Sequence, residues 1–169
     1  SKRDTLKRDL IERGHKVLPE VNLPPLGPQV EEATLKALSD CDLSIHLVGQ
    51  RYGMIPEESD NSMAELQNDV AASFNKEGFQ RLIWLPKGGD PQDEKQKAFV
   101  GRLVESPDAH CGAEVIVDTL ENFKELVVEK LTPKPEPPKE DANEPWEASA
   151  AESSGVTANR IYLICDKGD

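Results

Sequence analysis

The chain has 169 residues, which is enough for one domain of ordinary size with additional segments. Its formal net charge of −12 at pH 7 argues against binding to nucleic acid or to an anionic membrane surface, because both need clustered Lys and Arg side chains. No apolar run approaches the roughly 20 residues of a membrane-spanning helix. Cys41, Cys111 and Cys165 have no CxxC or metal-ligand spacing, so we expect a cytoplasmic protein with reduced thiols and no metal site.

The first half of the chain predicts alternating helices and strands. Residues 1–14 are periodic, with Leu6, Leu10 and Ile11 on one face of a helix, and HKVLP reads as a short strand. Residues 21–29 hold three prolines and a glycine and predict a restricted loop, which we call the proline-rich loop. VEEATLKALSDC then predicts an amphipathic helix, and DLSIHLVG predicts a strand of high β-propensity.

The second half repeats this alternation. A third helix is expected from about Ser62, with Leu66 and Val70 on its inner face. RLIWLP and AEVIV predict strands, and residues 91–105 between them predict a helix. DTLENFKELVVEKL predicts a last helix that begins with a D-x-x-E pattern at Asp118.

The composition changes after Leu131. Residues 132–159 are rich in Pro, Glu and Ser and predict a disordered linker, because such a segment cannot bury enough apolar surface to offset its loss of entropy on ordering. Arg160 to Cys165 then predicts a new strand. We therefore divide the chain into a domain at residues 1–131, the linker, and residues 160–169 as the first strand of a truncated second domain.

The predicted strands are short and apolar without polar alternation, which indicates an α/β fold with a parallel sheet and helices on both faces. The first predicted element is a helix, whereas a βαβ unit begins with a strand. The first strand of the sheet is therefore missing or replaced by the C-terminal strand. An empty central position would expose two rows of backbone groups, so we predict that Ile161, Leu163 and Ile164 lie within the sheet as its central strand.

Four segments, in this order and spacing, resemble a bacterial TIR (Toll/interleukin-1 receptor) domain across Arg3 to Leu131. They are RDTLKRDLIERGHKVLP, the proline-rich loop, DCDLSIHLVGQRYGMIPE and SMAELQNDVA. RIYLICDKGD also resembles the first strand of a TIR domain, which suggests two such domains in tandem. The resemblance implies a flavodoxin-like sheet with its first strand in the centre.

The resemblance further implies an NAD+ hydrolase of a bacterial defence or signal-transduction protein, which cleaves the nicotinamide–ribose bond. NAD+ would be the substrate, and no separate cofactor is expected. The family's catalytic glutamate corresponds to Glu65, and its mobile loop corresponds to the proline-rich loop. Other TIR domains would be partners in an oligomer, because several members are active only when assembled. The alternative is a non-catalytic TIR–TIR interaction module, since a fold does not determine a function.

Glu65 has two interpretations. Ser62 and Glu65 form the S-x-x-E pattern of a helix capping box, in which the glutamate reaches back to the Ser62 backbone N–H. In the catalytic interpretation, the carboxylate lies at the carboxyl end of a parallel sheet, where ligands of such folds bind. There it would bind the ribose hydroxyls and stabilise positive charge as nicotinamide leaves.

Several other side chains are candidates for nucleotide binding. Arg51 and Tyr52 directly follow a strand, where Arg could pair with a pyrophosphate and Tyr could stack on a base. Pro24 and Gly27 of the proline-rich loop, together with Ser62, complete the predicted binding set. His46 and Trp84 lie within strands, and we predict structural roles for both.

Overall fold

The computed structural model describes residues 2–108, 112–132 and 159–165. Within these ranges it is an α/β structure with five parallel strands and five helices. The strands are β1 (Lys16–Leu18), β2 (Leu43–Leu47), β3 (Gln80–Pro86), β4 (Ala113–Asp118) and β5 (Arg160–Cys165). The helices are α1 (Lys2–Glu12), α2 (Gly27–Ser39), α3 (Met63–Ser73), α4 (Glu94–Glu105) and α5 (Leu120–Leu131).

The sheet has the strand order β1-β5-β2-β3-β4. The prediction of a C-terminal strand in the centre is therefore confirmed: Ile161 pairs with Val17 of β1 on one side and with Leu43 of β2 on the other. With β5 counted as the first strand, the order is the 2-1-3-4-5 order of flavodoxin-like folds. Nearly all of the predicted linker, residues 133–158, lies outside the described residues.

Helices cover both faces of the sheet. On one face, α1 and α5 pack on the central strands through Leu6, Leu10, Phe123 and Val127, all of which are fully buried. On the other face, α2 and α3 cover β5, and α4 covers β3 through Phe99. Burial of each such side chain contributes about 1.5–3 kcal/mol, so these contacts account for the tight layering.

A polar contact also joins the central strand to two helices. The Tyr162 hydroxyl of β5 is completely buried and accepts a hydrogen bond of 2.6 Å from the Gln67 side chain of α3. The same hydroxyl lies 3.4 Å from the Thr34 hydroxyl of α2, which itself donates to the Val30 carbonyl. A buried hydroxyl needs such partners, so the packing of α2 and α3 on the sheet depends on β5.

Three local predictions were wrong in detail. The second helix begins at Gly27, inside the predicted loop, because Pro28 suits the first turn, where its missing N–H is not needed. The cap of α5 is Thr119 rather than Asp118, which ends β4 and accepts hydrogen bonds from the Thr119 and Asn122 nitrogens. Ile11 is 51% exposed, because the inner face of α1 is filled by Leu6 and Leu10.

His46 and Trp84 lie within strands, as predicted, and both are buried, but the Nδ1 atom of His46 has no hydrogen-bond partner among the described residues. His46 is buried in β2 with its Nε2 atom 3.1 Å from the Ser44 hydroxyl. Trp84 is buried in β3 and donates from its indole nitrogen to the Asp118 carbonyl. Cys41 is a buried free thiol, whereas Cys111 and the side chain of Cys165 lie outside the described part of the chain.

Truncation of a central-strand side chain tests the position of β5. We expect Leu163→Ala to lower the free energy of unfolding by about 2–5 kcal/mol, because Leu163 is buried in the core. Val117→Ala on β4 is the matched control and should change it by about 0.5 kcal/mol or less, since Val117 is 59% exposed. Urea denaturation of the full chain measures both. Equal effects of the two substitutions would contradict the central placement of β5.

His46 predicts a pH dependence of stability. Burial, with a smaller contribution from the charge of Arg81, holds the pKa of His46 well below its ordinary value of 6.5. The unfolded chain therefore binds a proton below about pH 6.5 that the folded chain does not. The contribution of neutral His46 to the free energy of unfolding should be fully present above that pH. Below it, the free energy of unfolding should fall by up to about 1.4 kcal/mol per pH unit. In His46→Gln this slope should be smaller. An unchanged slope between pH 7 and pH 5 would show that His46 is not responsible.

Candidate functional site

The candidate site lies at the carboxyl edge of the sheet. In flavodoxin-like folds the ligand crevice is at the strand ends where the strand order reverses, which here is the boundary between β5 and β2. The chain leaves β2 at Leu47, continues through Tyr52, and enters α3 at its cap, Ser62. The loop between β2 and α3 therefore carries the predicted residues directly to this edge.

Glu65 is enclosed by two side chains. It is 8% exposed, and its carboxylate accepts a hydrogen bond from the Tyr52 hydroxyl on Oε2. The other oxygen, Oε1, lies 2.8 Å from Nη2 of Arg102 on α4. Both carboxylate oxygens therefore have a side-chain partner, and neither partner is the backbone of its own helix.

The predicted capping box is half formed. The Ser62 hydroxyl caps α3 and accepts a hydrogen bond of 3.2 Å from the Glu65 backbone N–H. The Ser62 backbone N–H, however, donates to the Tyr52 hydroxyl at 3.2 Å instead of to the Glu65 carboxylate. The Tyr52 hydroxyl therefore lies between the two members of the box. It accepts a hydrogen bond from the Ser62 N–H and donates one to the Glu65 carboxylate.

Tyr52 is held as a hydrogen-bond donor. Its ring packs in a buried cluster with Val48, Ile83 and Phe99, and the Nζ atom of Lys95 lies 5.6 Å from the ring centroid. Burial, and secondarily the hydrogen bond to Glu65, raise the pKa of Tyr52 to about 12. The phenol is therefore protonated at neutral pH. It is not exposed for base stacking as predicted, because the ring belongs to the core.

Arg102 serves two carboxylates at once. Its Nη2 atom also lies 3.0 Å from Oδ1 of Asp69, one helical turn beyond Glu65 on α3. Burial raises the pKa of Asp69, and the charge of Arg102 opposes that shift. One cation therefore contacts two acidic side chains in a partly buried position.

The proline-rich loop is joined to the loop after β2. The Gly27 N–H donates to the Glu57 carbonyl at 2.8 Å, and the Glu57 N–H donates to the Pro25 carbonyl at 2.9 Å. A Cβ atom on Gly27 would lie 2.9 Å from Cβ of Ser59, so only glycine allows this approach. Pro24 is half-buried next to this contact and Gly27 is buried. Gly27 and Pro25 therefore hold the two loops together at the start of α2, and Pro24 lies next to this contact in the sequence.

An open groove of about 610 Å³ lies between α2 and α3. Its wall includes Asp69, the second partner of Arg102, together with Glu31, Leu35 and Val70. The groove is thus lined by both acidic and apolar side chains. Through Asp69 the groove borders the cluster formed by Glu65, Asp69, Tyr52 and Arg102.

The structure brings together three of the six predicted site residues: Tyr52, Ser62 and Glu65. Arg51 is exposed, and Pro24 and Gly27 lie in the neighbouring loop contact. Sequence reasoning missed Asp69 and Arg102. The spacing of four residues between Glu65 and Asp69 places both on one helix face and was a usable signal. Arg102 had no such signal, because its position depends on how α4 packs.

No protein-family model matches the chain, and neither the curated proteins nor the solved structures include a significant match to it. In the described residues, no helix is long and apolar enough to cross a bilayer, and no group of His, Cys, Asp and Glu is arranged to bind a metal ion. The functional assignment therefore depends on the site's geometry and on the sequence motifs.

Removal of the Tyr52 hydroxyl tests the network. We expect Tyr52→Phe to lower the free energy of unfolding by about 1–3 kcal/mol, because it leaves the buried Ser62 N–H and one Glu65 oxygen without partners. The neighbouring Arg51→Ala should change it by about 0.5 kcal/mol or less, since Arg51 is exposed. Chemical denaturation of both variants gives the comparison. A Tyr52→Phe variant as stable as the wild type would contradict the hydrogen-bond network.

Proposed function

We propose that this chain is an NAD+ glycohydrolase-type TIR domain of a bacterial defence or signalling protein, with Glu65 as its catalytic carboxylate. The observation that carries the proposal is the enclosed Glu65 side chain beside the loop that leaves β2, oriented by the Tyr52 hydroxyl. This is the edge at which flavodoxin-like folds bind ligands. The motif order described above supports the choice of NAD+ as substrate.

The chemistry needs little more than one well-placed negative charge. The bond between C1′ of the ribose and N1 of nicotinamide breaks, and its electron pair goes to N1, so that nicotinamide leaves as a neutral molecule. Positive charge then develops at C1′ and the ring oxygen, where the Glu65 carboxylate stabilises it. Water adds its oxygen to C1′ and loses a proton. The products are nicotinamide, ADP-ribose and H+, and attack by a group of the same substrate instead of water yields a cyclic isomer.

The arrangement of Glu65 corresponds to a resting state in this proposal. Tyr52 holds one carboxylate oxygen from the core side, and Arg102 occupies the other. The Arg102 side chain is 39% exposed and can move into solvent, whereas the Tyr52 ring is packed in the core. Entry of the substrate ribose therefore requires displacement of Arg102. Assembly with other TIR domains is the event we expect to favour the open arrangement.

The second candidate is a non-catalytic module for TIR–TIR association. The occupied state of both Glu65 oxygens favours it, because Glu65 then serves only to join α3 to α4. Exposed apolar side chains also favour it, with Val21 78% exposed in the proline-rich loop and Leu35 52% exposed on α2. In this function NAD+ is not consumed.

Nicotinamide release separates the two functions. We expect the full chain, assembled at high concentration, to release nicotinamide from NAD+, and Glu65→Gln to lower the rate by about 100-fold or more. Glutamine keeps the size of the side chain and removes its charge, but it replaces one of the two acceptor oxygens with an NH2 donor. Glu31→Gln, in the wall of the groove, is the matched control and should retain activity. Circular dichroism checks that both variants fold.

The contradicting result is turnover by Glu65→Gln at the rate of the Glu31→Gln control. Release of nicotinamide by neither the wild type nor the control, with TIR-type association still measurable by light scattering, would instead support the interaction module.

A further inference from the structure

The guanidinium of Arg102 is incompletely used in the described arrangement. A single atom, Nη2, contacts both Glu65 and Asp69. The Nε–H of Arg102 is buried and has no hydrogen-bond partner among the described residues. A guanidinium carries five donors in a planar fork, and the fork that includes Nε is well suited to bind two oxygens of one anion. Because the Nε atom is buried, Arg102 can offer this donor to an anionic ligand beside the candidate site only after its side chain moves away from Glu65.

Displacement of Arg102 without compensation is unfavourable. Glu65 is almost completely enclosed, and a buried carboxylate that loses its cation carries a large energetic penalty. Asp69 shares the same cation and is itself half-buried. A ligand that only removes Arg102, or only approaches Glu65, leaves one of these charges without a partner. A ligand with both a positive and a negative group can give Glu65 a new cation and Arg102 a new anion at the same time.

We infer that Arg102 is a substrate-selecting residue that exchanges the Glu65 carboxylate for the pyrophosphate of a dinucleotide. This inference rests on the function proposed above and adds a reason for the choice of substrate. NAD+ carries a positive nicotinamide ring next to its ribose and an anionic pyrophosphate further along. The ring and ribose replace Arg102 at Glu65, while the pyrophosphate engages the Nε and Nη donors of Arg102.

The exchange predicts an order of ligands. Nicotinamide riboside has the same scissile bond but lacks the pyrophosphate, so it leaves Arg102 on Glu65 and is a poor ligand. NADH has the pyrophosphate but a neutral nicotinamide ring, so it leaves Glu65 without a cation. NAD+ and its carbocyclic analogue, which is not cleaved, carry both charges and bind best.

The test combines binding with cleavage in the full chain. Calorimetry measures binding of the carbocyclic NAD+ analogue, which gives a result independent of turnover. We expect Arg102→Ala to weaken this binding about tenfold or more, because it removes a charged hydrogen-bond donor to the pyrophosphate. Asp69→Asn should strengthen it, since it removes a competitor for Arg102. Arg13→Ala is the matched control, because Arg13 forms an exposed ion pair with Asp9.

Cleavage assays add the specificity. The wild type should prefer NAD+ over nicotinamide riboside in kcat/KM, and Arg102→Ala should reduce that preference about tenfold or more, partly because uncovered Glu65 then accepts the riboside. Arg102→Lys keeps the charge without the fork and should lie between the two. If Arg102→Ala does not fold, the Lys and Asp69→Asn variants decide the question.

The possible failures are distinguishable. Binding of the analogue that is the same in wild type and Arg102→Ala, or no binding to the wild type at all, overturns the inference. If nicotinamide is nevertheless released and the release depends on Glu65, the proposed function stands without the role inferred for Arg102. Binding that depends on Arg102 in a protein that releases no nicotinamide overturns the proposed function and leaves Arg102 as a dinucleotide-binding residue.

Discussion

The pairing of β5 between β1 and β2 is the constraint on which the rest of the structure depends. A sheet without this strand would have unpaired backbone groups on both sides of the gap, and unpaired buried groups are strongly disfavoured. The strand also brings four buried side chains, Ile161 to Ile164, into the core. The hydrogen bond from Gln67 to the Tyr162 hydroxyl then ties α3 to the sheet. Because Gln67 is two residues from Glu65, the position of the candidate carboxylate follows from the central strand.

The fold was largely predictable because its signals are local and periodic. Short apolar strands without polar alternation indicated a parallel sheet. Because a βαβ unit begins with a strand and the first predicted element is a helix, a later segment was expected to supply the central strand. The predictions were wrong where two neighbouring residues could each fill the same structural role. Thr119 rather than Asp118 caps α5, because the strand pairing of β4 extends through Asp118 and its carboxylate binds the next turn from outside the helix.

The site was only partly predictable, because its geometry is created by tertiary packing. Ser62 and Glu65 are recognisable from their spacing, and Tyr52 from its place after a strand. In the structure, the Ser62 N–H donates to the Tyr52 hydroxyl and not to the Glu65 carboxylate. This exchange depends on how deeply the Tyr52 ring is buried, which the sequence pattern does not show. That Arg102 would reach Glu65 depends on the packing of α4 against β3, which no sequence spacing encodes. The residues that most affect the charge of the site are therefore the ones that were missed.

In the proposed function, charge balance determines whether this cluster is a structural connection or a catalytic site. With Arg102 in place, Glu65 and Asp69 share one cation and connect α3 to α4. The proposed function requires Arg102 to withdraw, and Glu65 then keeps its hydrogen bond from the Tyr52 hydroxyl. The most direct test is a crystal structure of the full chain with an uncleavable NAD+ analogue. We expect the ribose hydroxyls to lie within hydrogen-bond distance of Glu65 and Arg102 to have moved to the pyrophosphate. An intact pair between Glu65 and Arg102, with the ligand bound elsewhere, would contradict this expectation.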